Sequence, residues 1–159
     1  MERTILTPIG AVCLTEKDGA LVHLDWGCGG MDASPLLLEA EKQLAEYFAG
    51  SRREFDLPLA PQGTAFQRKV WDALTEIPYG ETRSYGEIAA RIGNPKACRA
   101  VGMANNRNPL SILIPCHRVI GADGSLTGYA GGIPKKLWLL RHEGVDTGKL
   151  YLPTKGTAL

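Results

Sequence analysis

The sequence predicts a mixed α/β (α+β) fold in two parts: a small α/β domain over residues 1–60, and a mainly helical domain carrying a helix-turn-helix over residues 61–159. Three observations predict it. Apolar and polar residues alternate over 4–26, the two-residue period of strands. After Thr64 apolar residues recur at helical spacing. Between the two, "DLPLAPQGT" places Pro58, Pro61 and Gly63 where an extended linker suits better than a core element.

The elements follow in order. "TILTPIGAVCLTEKDGALVHLDW" reads as a hairpin of two strands around a turn at Lys17-Asp18-Gly19. "SPLLLEAEKQLAEYFAG" reads as a helix with Ser34 as N-cap and Pro35 at the first helical position. Leu37, Leu44, Tyr47 and Phe48 lie on one side, and Gly50 is the stop. Beyond the linker, Phe66, Val70 and Leu74 at i, i+4, i+8 predict a helix capped by Thr64 and ended by Pro78. "SYGEIAARIG" is a short helix whose Ser84 and Glu87 have capping-box spacing. "NPKACRAVGMANNRN" follows with Asn94 as cap and Pro95 at its first position. Two short helices around a tight Gly-Asn turn, the second bearing Lys96, Arg99 and Arg107, read as a helix-turn-helix or as an ordinary helical hairpin. Ala97, Ala100, Gly102 and Ala104 give that second helix small side chains, which suit either entry into a narrow groove or close helix packing.

A formal net charge of +1 over 159 residues conceals an asymmetry. Residues 1–60 carry twice as many acids as bases, whereas 82–121 has Arg83, Arg91, Lys96, Arg99, Arg107 and Arg118 against Glu87. A basic stretch of this kind is either a solvated face or a nucleic-acid footprint. The N-terminus is interrupted by charge and Pro8 before it makes a signal peptide, and no run is long enough to span a bilayer, so a cytoplasmic protein is expected. Cys13, Cys28, Cys98 and Cys116 have no CxxC spacing and read as free thiols. Cys13, His23 and Cys28 make no close ligand pairs, so no metal is expected, and no cofactor motif is present.

The chemistry concentrates in "SILIPCHRVIG". In one straight strand Cys116 and His117 would point to opposite faces. Pro115 argues for a turn or helix start instead, where unpaired N–H groups, His117 and Arg118 favour a thiolate. Read without further context, Cys116 is equally a small buried hydrophobe.

"NPLSILIPCHRVIGADGSLTGYAGGIPKKLWLLRHEG", with "IPYGETRSYGEIA" and "RAVGMANNRNP" upstream, resembles the O6-alkylguanine-DNA alkyltransferases over residues 66–144. The resemblance implies a ribonuclease-H-like N-terminal domain and a winged-helix-like C-terminal one. It implies that Cys116 takes an alkyl group from O6 of guanine in double-stranded DNA irreversibly, once per molecule, with O4 of alkylthymine as a further candidate substrate. His117 and Glu143 would hold the thiolate through a water relay. Tyr85 would support the departing guanine, and Asn108 would tie the recognition helix to the cysteine segment. Arg99 would replace the extruded base, with Lys96, Ala97, Ala100, Gly102 and Arg107 on the DNA-facing helix. "GADGSLTGYAGG" would be the pocket wall. Tyr129, Ala130, Val119 and Ser111 would line the pocket, Ala130 contributing only backbone because it lacks the hydroxyl of the serine some relatives carry there. A monomer is expected, with cooperative assembly on DNA left open. Two rivals stand beside this reading. A cysteine hydrolase would turn over repeatedly, and a non-reactive DNA binder would recognise the lesion without reacting or, as a transcription regulator, bind undamaged operator DNA specifically.

Overall fold

The structure is a computed structural model and describes residues 1–152. What the two-domain expectation placed after residue 152 lies outside the described residues. Contacts divide the chain into unit 1, Met1–Gln62 with Pro109–Leu113, and unit 2, Gly63–Asn108 with the chain from Ile114 onward.

Unit 1 is a three-stranded antiparallel sheet in the order β1 (Glu2–Thr7), β2 (Gly10–Lys17), β3 (Ala20–Trp26), covered by α1 (Pro35–Phe48). The β2–β3 turn is at Asp18 and Gly19, as the sequence predicts. Their φ values of 52° and 80° give the double left-handed turn whose twist matches a hairpin. The expectation of only two strands needs correction. Pro8 and Ile9 make a second tight turn, closed by Thr7 Oγ1, which accepts from the Ile9 N–H at 3.2 Å and donates to Gly10 O at 2.6 Å. The alternating run is therefore folded twice. Val12, Leu14, Leu21 and Leu24 of the sheet and Leu37, Leu44 and Tyr47 of α1 are buried and form the core of the unit. Ser34 Oγ accepts from the Leu37 N–H at 3.1 Å, the predicted cap. Pro109–Leu113 returns to this unit, where the Leu24 N–H donates to Pro109 O at 2.8 Å.

Unit 2 contains α2 (Ala65–Thr75), β4 (Arg83–Ser84), α3 (Tyr85–Arg91), α4 (Cys98–Asn106), a single 3-10 turn Cys116–Arg118, β5 (Val119–Ile120), α5 (Ile133–His142) and a second 3-10 turn Thr147–Lys149. β4 and β5 pair in parallel. Capping boxes start α2, at Thr64 and Gln67, and α3, at Ser84 and Glu87. The α3–α4 turn is a Schellman closure: the Asn94 N–H donates to Ala89 O and the Gly93 N–H to Ala90 O, with Gly93 at φ 83°, where a side chain would be strained. That uses Asn94 to end α3, so it does not cap α4. The Ala97 N–H donates to Asn94 O in a turn and α4 begins only at Cys98, which leaves Lys96 and Ala97 ahead of the helix rather than on it. The helix-turn-helix is α3–α4. Among the described residues no helix is long and apolar enough to cross a membrane.

Candidate active site

Cys116 is held by a backbone device. Pro115, at φ −79° and ψ 65°, centres an inverse γ-turn in which the Cys116 N–H donates to Ile114 O at 2.7 Å. Asn108 Nδ2 donates to the same carbonyl at 2.8 Å, which fixes the segment to the residues that follow α4. Upstream, Ile112 has φ 74°, a left-handed conformation that a β-branched residue adopts only under constraint. The apolar run before the cysteine is thus broken twice, and the 3-10 turn keeps Cys116 and His117 from the opposite faces a strand would give them. Cys116 is 2 % exposed.

Behind it lies a buried ionic group. His117 Nε2 is 2.8 Å from Glu143 Oε2. Arg118 Nε and Nη2 donate to the two carboxylate oxygens at 2.8 and 2.9 Å, a bidentate clamp, while Nη1 donates to Ile77 O. Burial alone would raise the Glu143 carboxyl. The hydrogen bonds and charges of His117 and Arg118 outweigh it and hold the group well below the usual carboxylate range. His117 is pushed down by burial, against the pull of Glu143, with the charges of Arg118 and Lys136 acting in the same direction as burial. A neutral imidazole beside an ionised carboxylate carries its proton on Nε2. Nδ1 is then a lone-pair acceptor, and it is buried with no protein partner among the described residues. Glu143 caps α5 at its C-terminus, where a carboxylate opposes the helix dipole, so the Arg118 clamp is needed to keep it there.

Lys136 is fully buried and had no place in the sequence reading. Its Nζ donates to Val119 O at 2.6 Å and Thr127 O at 2.9 Å. Burial lowers it to about 8, partly offset by a Cys116 negative charge. The signal for it was periodicity: Lys136, Leu139, Leu140 and Glu143 share one buried face at i, i+3, i+4, i+7. Tyr85 Oη donates to Thr127 O at 3.1 Å, and burial raises its pKa, so it keeps its proton. Thr127 O thereby joins the pocket-wall segment to both α3 and α5. Tyr129 and Val119 are buried and Ala130 is exposed. Ser111 is buried in the segment that belongs to unit 1.

The outer face of the helix pair carries Arg99 and Ala100, both exposed, and Gly102. A methyl added at Gly102 would meet the Tyr85 ring at 3.8 Å, an ordinary contact, so internal packing does not require glycine there. Ala104, by contrast, is buried and packs inward, so the small residues do not form one stripe. Lys96, Arg99 and Arg107 are exposed and make no ion pair among the described residues. A cleft of about 280 Å³ opens between Tyr85, Cys98, Arg99, Gly102, Asn106 and Thr127-Gly128. Gly128 has φ 56°, a left-handed conformation that favours glycine, and a Cβ there would push aside the exposed Asn106 side chain. Among the described residues no cluster of three His, Cys, Asp or Glu side chains could hold a metal ion.

Residues 1–61 match the family model of the 6-O-methylguanine DNA methyltransferase ribonuclease-like domain, and residues 65–145 match that of the DNA binding domain of the same family. The chain is 62% identical over 149 residues to the methylated-DNA--protein-cysteine methyltransferase of Mycobacterium bovis, with 89% of this chain and 90% of that protein covered. It is 52% identical over 147 residues to the protein of that name from Methanosarcina acetivorans, with 87% and 94% covered. Among solved structures it is similar to Mycobacterium tuberculosis OGT in complex with DNA, with a TM-score of 0.82 at 50% identity, covering 90% of this chain and 92% of that one. On the strength of two adjoining domain models and relatives matched along nearly their whole length, the chain belongs to the 6-O-methylguanine DNA methyltransferase family.

Proposed function

We infer that the protein repairs DNA by moving an alkyl group from O6 of guanine onto Cys116, the family's reaction, and that each molecule does so once. The observation that carries this reading is the buried cluster of Cys116, His117, Glu143 and Arg118, in which His117 Nδ1 keeps a lone pair with no partner among the described residues. His117 takes the thiol proton, directly or through a water, while Glu143 orients the ring and balances the resulting imidazolium. The sulfur attacks the alkyl carbon, the carbon–O6 bond breaks, and its electron pair stays on the purine. Tyr85, still protonated, donates a hydrogen bond to the departing guanine as its charge develops. Tyr85 passes its proton to the guanine and recovers one, by way of solvent, from the imidazolium of His117; the guanine thus ends neutral, carrying one proton in place of the alkyl group, and Cys116 ends as a thioether that water does not cleave.

A cysteine that is 2 % exposed cannot meet a base within the duplex stack, so the nucleotide is extruded into the site. Arg99 fills the gap it leaves. Ala100 and Gly102 let α4 come close to the groove, and Lys96 and Arg107 contact phosphates, with Ala97 at the entry of the helix. Tyr129, Val119 and the Ala130 backbone border the base. In this division residues 61–159 carry binding and chemistry, and residues 1–60 form a separate supporting domain. The protein acts as a cytoplasmic monomer.

Intact-protein and peptide mass spectrometry after mixing with excess duplex containing one O6-methylguanine tests the reading. A single methyl on Cys116, stopping at one equivalent, is the expected result. Repeated turnover would establish a hydrolase, and lesion binding without a methyl would leave only a binding module.

A further inference from the structure

Tyr151 has no task in the reaction above, yet it is fastened along the segment that forms the pocket wall. The Leu126 N–H donates to Tyr151 O at 2.7 Å and the Tyr151 N–H donates to Gly124 O at 3.1 Å, a single parallel bridge that pairs Tyr151 with Ser125. Tyr151 Oη donates to Asp123 Oδ2 at 2.6 Å, while the Ser125 N–H donates to Oδ1 of the same carboxylate at 3.0 Å. The Tyr151 bond, followed by those of Ser125, pulls the Asp123 carboxyl down to about 2, so it stays an ionised acceptor. The Tyr151 side chain is 45 % exposed, so hydrogen bonds rather than burial hold it there. Gly124 has φ 88°, and a Cβ on it would stand 2.8 Å from Lys149 O. The two segments therefore lie backbone against backbone, an approach that only glycine allows.

The bridge stops one residue short of the site. Leu126 is buried, and Thr127, which follows it, offers the carbonyl that accepts from both Tyr85 Oη at 3.1 Å and Lys136 Nζ at 2.9 Å. Thr127 and Gly128 also line the cleft beside Tyr85. Gly128, Gly131 and Gly132 come next, and glycine gives that part of the wall the most backbone freedom. How far the wall can recede is thus set at its pinned end. We propose that Tyr151 is a specificity-determining positioning residue whose bridge to Gly124 and Leu126 holds the pocket wall at the width of a small alkyl group, an assignment that rests on the alkyl-transfer reading. A wall that cannot recede penalises a bulky group by overpacking, and a released wall admits it at less cost. Release also lets the Thr127 carbonyl drift from Tyr85, so methyl transfer slows while transfer of a bulky group is spared.

The test compares single-turnover transfer to Cys116 from duplexes containing O6-methylguanine or O6-benzylguanine, under conditions where each variant is fully folded. Tyr151→Pro removes the bridging N–H and the hydroxyl together, and Leu150, at φ −95° and ψ 147°, already has the extended conformation that suits a residue before proline. Tyr151→Phe removes the hydroxyl alone. The ratio of methyl to benzyl transfer rates falls about tenfold in Tyr151→Pro and about threefold in Tyr151→Phe, the scale of one or two hydrogen bonds. A ratio unchanged in both variants overturns the assignment whatever happens to the melting temperature, since a strap that contributes only stability leaves the selectivity of a folded molecule alone. A ratio that rises also overturns it. Should Tyr151→Pro fold poorly, Tyr151→Phe decides by itself. Failure of the wild type to take either group removes the alkyl-transfer reading, whereas transfer with a ratio indifferent to Tyr151 removes only this assignment.

Discussion

In unit 1 the buried side chains include Ile5, Val12, Leu14, Leu21, Leu24, Leu37, Leu44 and Tyr47, with a few neutral polar groups, Ser34, Gln43 and Ser111 among them. In unit 2 burial also takes in His117, Arg118, Lys136 and Glu143, and among the described residues no charged side chain or histidine is buried in unit 1. Folding alone accounts for the first set. It does not account for the second, because a buried ion pair is commonly no more stable than well-packed hydrocarbon of the same volume. On the proposed reaction, the charges of unit 2 serve the cysteine and its histidine.

The strongest way to break that contrast is Glu143→Gln. It leaves the Arg118 guanidinium buried without its carboxylate, a loss of about 3–5 kcal/mol, and alkyl transfer disappears with the ring's partner. Replacing both Glu143 and Arg118 by leucine returns much of the stability while transfer stays absent. Denaturant melts and the single-turnover rate separate the two effects. In unit 1, Leu44→Ala opens a cavity and removes about 2–5 kcal/mol, yet each molecule that remains folded transfers at the wild-type rate.

These two units also differed in how far their sequences could be read. Helices α1, α2 and α3 were legible because their caps are local: Ser34, Thr64 and Ser84 each bond a backbone N–H three residues on. The Pro8-Ile9 turn was hidden inside an alternating pattern that continues across it. The start of α4 was misplaced because Asn94 and Pro95 look like a cap and first position, while the Schellman closure of α3 had already engaged Asn94. His117 and Glu143, 26 residues apart, were paired through the family resemblance, and no spacing rule would have joined them. Lys136 was missed because a polar residue on an apolar helix face looks like an exception until its partners are seen.

The acid limb of stability sharpens the contrast next. Burial holds His117 below its ordinary 6.5, so as pH falls below that value the unfolded chain takes up the proton first and stability drops. Glu143 is held below its ordinary 4.5 by His117 and Arg118 against burial, so its contribution is present above that pH and lost as pH falls further. Melting temperature against pH should decline in two steps, and His117→Gln should remove the first. On the alkaline side Lys136 loses its charge near pH 8. Transfer in the wild type should then fall above that pH, and Lys136→Met should slow it throughout. The variant should also lose about 1–3 kcal/mol, because the Val119 and Thr127 carbonyls lose their donor.

The smallest effect is the most discriminating, because it applies one chemical change to both units. Ser34 and Ser84 cap α1 and α3 alike, each accepting from the backbone N–H three residues on at 3.1 Å. Serine to alanine at either cap removes about 1 kcal/mol, a shift of a few degrees in Tm. The residue after Ser34 is Pro35, which touches nothing in the reaction. The residue after Ser84 is Tyr85, whose hydroxyl must sit where Thr127 O now holds it. Fraying the first turn of α3 displaces that hydroxyl, so Ser84→Ala should slow transfer severalfold at full folding, and Ser34→Ala should leave it unchanged. Equal rates in the two variants would mean that the Thr127 carbonyl alone positions Tyr85 and that the helix start contributes only stability.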